Sequence, residues 1–492
     1  MVTEAKLHSL EEIFNPQSIA IVGASSSDQE TGWVARLLKF GYKGRIYPIH
    51  PKAAEISGLK AYPSLRDIPG PVDYVIFNVP ARLALPILED CVAKGVKAVH
   101  LFTAGFSETG KEEAKKMEAR VAAIAKEGGV RVIGPNCMGM YHPAAGVTFN
   151  PSFSKEPGNV AFVSQTGAGC ARFVRLGNER GIYFSKVISY GNAIDLDAPQ
   201  FLEYLASDEK TKIVTCYVEG VKDGRYYLDA VKKCLQAKPV IIMKAGVTEG
   251  GAGAAASHTA SLAGSKSVWD AFFKQSGVIQ ADSLEGIADV VLALSYLPRF
   301  SGRRVGIVGR GGGIGVIATD TCELAGLKVP PFHHETSRKL EEVIPEAGAG
   351  ARNPVESARG IAGTADFYAT GLKIVDADSE IDFILTHIAV DVYGSNLSDM
   401  DMRKQLMEAA ESLANTFPSL KKPIVAVLYA GEQLEAIRAV MEARQKLMKA
   451  GIAVYPTIDA AARAVVKLID YYKFIEDRNQ SLVIKKELPN EI

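Results

Sequence analysis

The sequence predicts an α/β protein of three doubly wound parallel-sheet domains, and a recurring phrase carries most of that prediction. Three times an apolar strand leads into a loop of small residues and then a helix closed by glycine: SIAIVGASSSDQETGWVARLLKFG (18–41), NVAFVSQTGAGCARFVRLGNERG (159–181) and RVGIVGRGGGIGVIATDTCELAG (304–326). Each is followed by another strand-like stretch, respectively RIYPIHP, FSKVISYGN and LKVPPF. Alternating strands and helices imply parallel sheets covered on both faces, with ligands collecting where strand ends meet helix starts. The length of 492 residues agrees, because domains of about 150 residues would give roughly three.

Taken in order, the first segment continues through DYVIFNVP (73–80), KAVHLFTAGF (97–106) and RVIGPNCMGM (131–140), and the Pro-rich HPAAGVTFNPSFSKEPG (142–158) reads as a linker. The second runs through KIVTCYVEG (212–220) and KPVIIMKAG (238–246) to a helix near 266–276, with PRFSGRR (298–304) as the next joint. The third carries DFILTHIAV (382–390), KPIVAVLYAG (422–431) and a helix near 459–473. The expected boundaries are 1–147, 148–300 and 301–475, with a charged, loosely held tail over 476–492.

Composition narrows the function classes. Lys+Arg and Asp+Glu balance at 56 each, so bulk charge advertises neither a nucleic-acid nor an acidic-membrane partner, and any anion site must come from loops and single residues. The start, MVTEAKLHSLEEIF, has no apolar signal core, and no apolar run approaches the ~20 residues that span a bilayer; a cytoplasmic protein is expected. The six cysteines lie far apart without a C-x-x-C pair, so they are expected to be reduced and mostly buried, and no metal site is read from the sequence.

The three loops differ in wording. The first, Gly23-Ala24-Ser25-Ser26-Ser27, is not G-x-G-x-x-G, and the second strand ends in His50-Pro51-Lys52 where a nicotinamide site would place an acid for the ribose hydroxyls. A positive residue there suits a phosphate. A phosphorylated nucleotide other than NAD is therefore expected, held by the amides of Ser25, Ser26 and Ser27 and by Lys52; a Rossmann-like domain with an exposed lysine is the plainer alternative. The second loop, Ser164-Gln165-Thr166-Gly167-Ala168, and the third, with Gly311, Gly312, Gly313 and Gly315, can each cradle an anion on backbone amides, although glycine there also serves tight turns.

A single histidine stands in GGAGAAASHTASLAG (250–264). The stretch 246–264, ~19 residues between a strand and a helix, reads as a loop, and loops beyond about 12–15 residues are uncommon without a function. Its small neighbours would let the His258 imidazole approach a bulky anion, and a neutral imidazole nitrogen can attack an activated phosphoryl group, with Glu219 as the acid that fixes its tautomer. An ordinary loop histidine fits the spacing equally well.

With those residues in view, SHTASLAG resembles the phosphohistidine loop of the ADP-forming acyl-CoA synthetases, the wider family that includes succinyl-CoA synthetase. The resemblance extends over nearly the whole chain: IVGASS, HPK and GPNCMG of a Rossmann-like CoA-binding domain; SQTGA, SYGN and YVEG of a first flavodoxin-like ligase-CoA domain; and GRGGGIG with RNPVES of a second. It implies that His258 is the transiently phosphorylated nucleophile and Glu219 its supporting acid. It further implies that Gly23, Ser25–Ser27, Lys52, Val79, Pro80, Thr103, Ala104, Pro135 and Asn136 hold CoA, while Ser164–Ala168 and Gly311, Gly312, Gly313 and Gly315 receive phosphate.

Two positions depart from the family's usual wording: Arg310 adds a positive charge in the third loop, and Glu356 replaces an aspartate and is assigned no role. Cys137 is expected to be a small residue packed beside CoA, not a nucleophile. Such enzymes also need an ATP-grasp module, for which the sequence after the third segment leaves no room. The resemblance therefore implies an α subunit working with a separate ATP-grasp β subunit as α2β2, with ADP or ATP and Mg2+ on that partner. A CoA-binding regulatory or scaffold protein is the rival expectation, and the intact His258 and Glu219 count against it.

Overall fold

The protein is seen in a computed structural model that describes residues 9–25, 31–259, 264–310, 312–344, 351–357, 364–389, 399–429 and 434–487. It divides into two compact units, Met1–Ile287 and Ala288–Ile492.

The first unit holds two sheets. One contains β1 (Ser18–Val22), β2 (Arg45–Ile49), β5 (Tyr74–Phe77), β6 (Ala98–Leu101) and β7 (Arg131–Ile133), with β3 (Glu55–Ile56) and β4 (Leu59–Lys60) forming a separate small hairpin. The order is β2-β1-β5-β6-β7, parallel throughout. Every residue of β1, β5 and β6 is buried, which is why these strands read as continuous apolar runs: helices cover both faces. The other sheet comprises β8 (Gly139–Tyr141), β9 (Val160–Ser164), β10 (Phe184–Ser189), β11 (Ile213–Val218), β12 (Val240–Lys244) and β13 (Ile279–Ala281), in the order β13-β12-β11-β9-β10-β8. Its edge strand β8 is antiparallel to β10. The second unit carries β14 (Val305–Arg310), β15 (Val355–Ser357), β16 (Phe383–Ala389), β17 (Ile424–Tyr429) and β18 (Ala453–Tyr455), parallel in the order β15-β14-β16-β17-β18. The expected α/β class with parallel sheets is what the chain adopts.

Four local readings differ from the structure. RVIGPNCMGM is split between β7 of one sheet and β8 of the next, because Asn136 turns the chain at φ +59, a left-handed conformation that asparagine tolerates. LKVPPF makes only an isolated bridge, Arg304 to Lys328, since Pro330 and Pro331 have no amide to donate; the edge of the third sheet is supplied instead by Val355–Ser357. The presumed loop around His258 contains a helix, Glu249–Thr259. Alanine is the strongest helix former, the Thr248 hydroxyl accepts from the Gly251 amide at 3.1 Å, and Glu249 complements the helix dipole in the first turn. Finally, the helix starting at Ile458 runs on to Glu487, into the stretch expected to be a loose tail.

Among the described residues no helix is long and apolar enough to cross a membrane. All six cysteines are buried and unpaired.

Candidate active site

The strand ends of the first unit converge on one cavity of about 560 Å³. The first sheet lines it with Asn78, Val79 and Pro80 after β5 and with Phe102, Thr103 and Ala104 after β6; Asn136, Cys137 and Met138 follow β7. The second sheet contributes Gly167 and Ala168, the first two residues of the helix Gly167–Glu179. This is the carboxyl edge of a parallel sheet, where ligands of doubly wound folds bind.

Hydrogen bonds to backbone carbonyls tie these strand ends together. The Thr103 hydroxyl donates to the Val79 carbonyl at 2.6 Å, and the Asn136 amide donates to the Thr103 carbonyl at 3.0 Å. Gly23, after β1, has φ +83, and a Cβ there would lie 2.2 Å from the Asn78 carbonyl oxygen; glycine is required for the two turns to pass. His100 supports the same edge from below: fully buried, it donates from Nε2 to the Cys137 carbonyl at 3.1 Å, and burial holds its pKa down to about 4.

The loop Ser164–Ala168 is held by its own side chains. The buried Ser164 hydroxyl donates to the Thr166 carbonyl at 2.9 Å, and Thr166 caps the following helix by accepting from the Gly169 amide at 3.3 Å. The amides of Gly167 and Ala168 stand in the first turn of this helix, where backbone N–H groups have no intrahelical acceptor and the dipole favours an anion. Gln165 turns away from such a role: its side-chain oxygen accepts from the backbone amides of Glu219 and Gly220, the latter at 3.1 Å. Glu219, directly after β11 and 3% exposed, also receives the Tyr217 hydroxyl on its carboxylate at 3.2 Å. Burial and the Glu219 charge in turn push the Tyr217 phenol up.

Of the expected site residues, Val79, Pro80, Thr103, Ala104, Asn136, Gly167 and Ala168 thus share one cavity. Pro135 stands just behind it, its carbonyl accepting from the Asn192 amide at 3.0 Å. Gly23, Ser25 and Lys52 do not line it; Lys52 is exposed on a turn whose amides at Lys52 and Ala53 donate to His50 Nδ1. Ser26 and Ser27 lie outside the described residues, and the next helix begins only at Trp33. His258 falls on the last turn of the helix Glu249–Thr259, which packs against the 3₁₀ turn Ser107–Thr109; its side chain is outside what the structure describes. Gly311 is likewise outside, while Gly312, Gly313 and Gly315 open the helix Gly312–Leu324 of the second unit.

Sequence reasoning passed over Asn78, Phe102 and Met138 as cavity residues and Gln165 as the support of Glu219. Asn78 could have been found, being a polar side chain at the end of an apolar strand; the turn of Gln165 towards a residue 54 positions away had no local signal. Cys137 does line the cavity, and burial pushes its thiol well up, so it stays protonated and is no nucleophile. Among the described residues no acidic side chain lines the cavity, which suits a ligand carrying phosphates.

The comparisons with known proteins identify the family. Residues 17–143 match the CoA binding domain family and residues 157–294 the succinyl-CoA ligase like flavodoxin domain. The α subunit of acetate–CoA ligase (ADP-forming) II from Pyrococcus furiosus is 37% identical over 94% of this chain and 98% of its own. Acetate–CoA ligase (ADP-forming) I from Archaeoglobus fulgidus is 36% identical over 94% of this chain, which spans 64% of that longer protein. Among solved structures, dinucleotide-forming acetyl-coenzyme A synthetase 1 of Ca. Korarchaeum cryptofilum, in complex with phosphate and ADP, superposes with a TM-score of 0.78 at 32% identity, covering 98% of this chain and 99% of that one.

The chain is an acid–thiol ligase with a CoA-binding domain. More narrowly, the chain belongs to the α subunits of the ADP-forming acyl-CoA synthetases.

Proposed function

We propose that the chain is the α subunit of an enzyme that interconverts acyl-CoA, ADP and phosphate with a carboxylic acid, CoA and ATP. Phosphate attacks the thioester carbonyl, expelling CoA and leaving an acyl phosphate; His258 then attacks the phosphorus, releasing the carboxylate and carrying the phosphoryl group. ADP takes that group from His258 to become ATP. Splitting the transfer into covalent steps is the reason to employ a nucleophile.

The observation that carries this reading is the cavity shared by three strand ends of the CoA-binding domain and the open helix start at Gly167 and Ala168, with Glu219 fixed by Gln165 from the same loop. In this reading Val79, Pro80, Thr103, Ala104 and Asn136 hold the CoA arm, with Pro135 behind them and with Gly23, Ser25–Ser27 and Lys52 at its nucleotide end. The amides of Gly167 and Ala168 take the phosphate, Ser164, Gln165 and Thr166 shape that loop, and Gly311–Gly315 supply a second anion loop. Glu219 orients the His258 imidazole. The nucleotide and its Mg2+ belong to an ATP-grasp β subunit in an α2β2 assembly, a partner that fits the α-subunit naming of the Pyrococcus relative and the greater length of the Archaeoglobus one. The division at 147, 300 and 475 is retained as part of this reading.

The purified chain with its β partner, given acyl-CoA, phosphate and Mg2+, should gain one phosphoryl group on His258 by intact mass. His258→Ala should abolish the label and leave CoA binding within about twofold, since the cavity residues are elsewhere. A wild-type chain that binds CoA and stays unlabelled would instead establish the regulatory or scaffold reading.

A further inference from the structure

Lys244 is the last residue of β12 and the only charged residue in that strand, VIIMK, yet it is 6% exposed. Its ammonium donates to the Glu219 carbonyl at 2.7 Å and to the Ala245 carbonyl, and it lies 5.3 Å from the centroid of the Trp269 ring. These three contacts sit on three pieces of the candidate site. Glu219 is the proposed acid. Ala245, whose own amide bonds the Val218 carbonyl at 2.9 Å, begins the lead into the helix Glu249–Thr259 that bears His258. Trp269, on the helix Lys266–Ser276, packs beneath the far end of the histidine segment: a Cβ added at Gly264 would lie 3.3 Å from Trp269 Nε1. One ammonium therefore meets the start of the stretch 245–264 and the carbonyl of the acid directly, and the end of that stretch through Trp269.

A neutral side chain could fill the space, but it could not serve two carbonyls and an aromatic face at once. Burying an ammonium is costly unless its donors are satisfied, and carbonyl acceptors and the negative face of an indole are the groups that satisfy it. Burial lowers the Lys244 pKa, and the Glu219 charge opposes that shift.

We propose that Lys244 is a positioning residue of the phosphoryl-transfer step, fixing the spacing between the Glu219 acid and the helix that carries His258 through Glu219, Ala245 and Trp269 together. This rests on the reading of Glu219 and His258 as acid and nucleophile. The role predicts a fault in geometry at the phosphoryl step, with the CoA cavity left intact, because Lys244's hydrogen bonds and ring contact among the described residues go to Glu219, Ala245 and Trp269 and to no residue lining that cavity.

The test uses the full chain with its β partner. The rate of His258 labelling from acyl-CoA and phosphate is followed by rapid quench and intact mass, alongside the lifetime of the label, the KM for acyl-CoA and the affinity for CoA. Lys244→Met should slow labelling on the order of 10- to 100-fold, as misplacing a reacting group by about 1 Å does, with KM and CoA affinity within about twofold. Lys244→Arg, which keeps the charge, should recover part of the rate. Trp269→Leu should slow labelling in the same direction by a smaller factor, and it decides the matter if Lys244→Met does not fold. Labelling at the wild-type rate in the variants, or a loss that tracks falling CoA affinity and is not relieved by arginine, overturns the proposal. An unlabelled wild-type chain overturns the underlying reading instead.

Discussion

The carboxyl ends of β9 and β14 lead into stretches that look alike in the sequence, and the two strand ends are held in opposite ways. Ser164–Ala168 is held by bonds from its own side chains: Ser164 to Thr166, Thr166 to Gly169, and Gln165 to Glu219 and Gly220. β14 instead carries a glycine, Gly309, beside its last residue Arg310, and depends on room being left next to it. A Cβ at Gly309 would lie 1.9 Å from Nε2 of His387, which is buried on the adjacent strand β16. The loop after β9 therefore fails when something is taken away, and the end of β14 when something is added.

That difference can be broken from either side. The largest effect is expected for Gly309→Ala, which overpacks the junction and should destabilise the chain by about 3 kcal/mol in calorimetry. His387→Ala should relieve the clash, so that the double variant recovers most of the loss; equal destabilisation with and without His387 would show that sterics are not the cause.

His387 adds a pH dependence. Among the described residues neither ring nitrogen has a hydrogen-bond partner, and burial lowers its pKa to about 4. An unfolded histidine titrates near 6.5, so between about pH 6.5 and 4 the unfolded chain binds the extra proton. Stability should be full above about pH 6.5 and fall, by on the order of 2 kcal/mol, as pH drops towards 4. The buried His100 contributes the same sign in the first unit. Acid unfolding of His387→Leu should be shallower than that of the wild type by one proton's share; an unchanged slope would remove His387 from the account.

On the other side, Gln165→Leu strips the acceptor from two buried amides and should cost about 2 kcal/mol, as well as slowing His258 labelling. Gln165→Glu, which keeps an acceptor oxygen, should lose less of both. The smallest change is Thr166→Ala, a lost helix cap worth about 1 kcal/mol in denaturant unfolding. If Thr166→Ala proved more damaging than Gln165→Leu, the loop's chief support would be the cap and not the bond to Glu219.

Much of this was legible beforehand, for local reasons. Apolar runs bounded by glycine mark buried parallel strands, and Gly23 before a serine run or Thr166 before Gly167 mark the turns that follow them. The readings that went astray did so where a local signal competed with another. Residues 250–264 look too small-featured for structure, yet their alanines favour a helix once Thr248 caps it and Glu249 opens it. LKVPPF is apolar enough for a strand, but its prolines cannot join a ladder.

The sequence by itself determined the three strand–loop–helix units, the loops at their strand ends and the histidine segment, because hydrophobic period and backbone permissiveness act over a few residues. Only the tertiary structure decided that β8 crosses to the second sheet, that Thr103 bonds Val79, that Gln165 turns from the anion loop to hold Glu219, and that Lys244 gathers Glu219, Ala245 and Trp269 around one charge. Apart from Ala245, the neighbour of Lys244, those pairings join residues far apart in the chain. They depend on strand order and register, which no local stretch of sequence encodes.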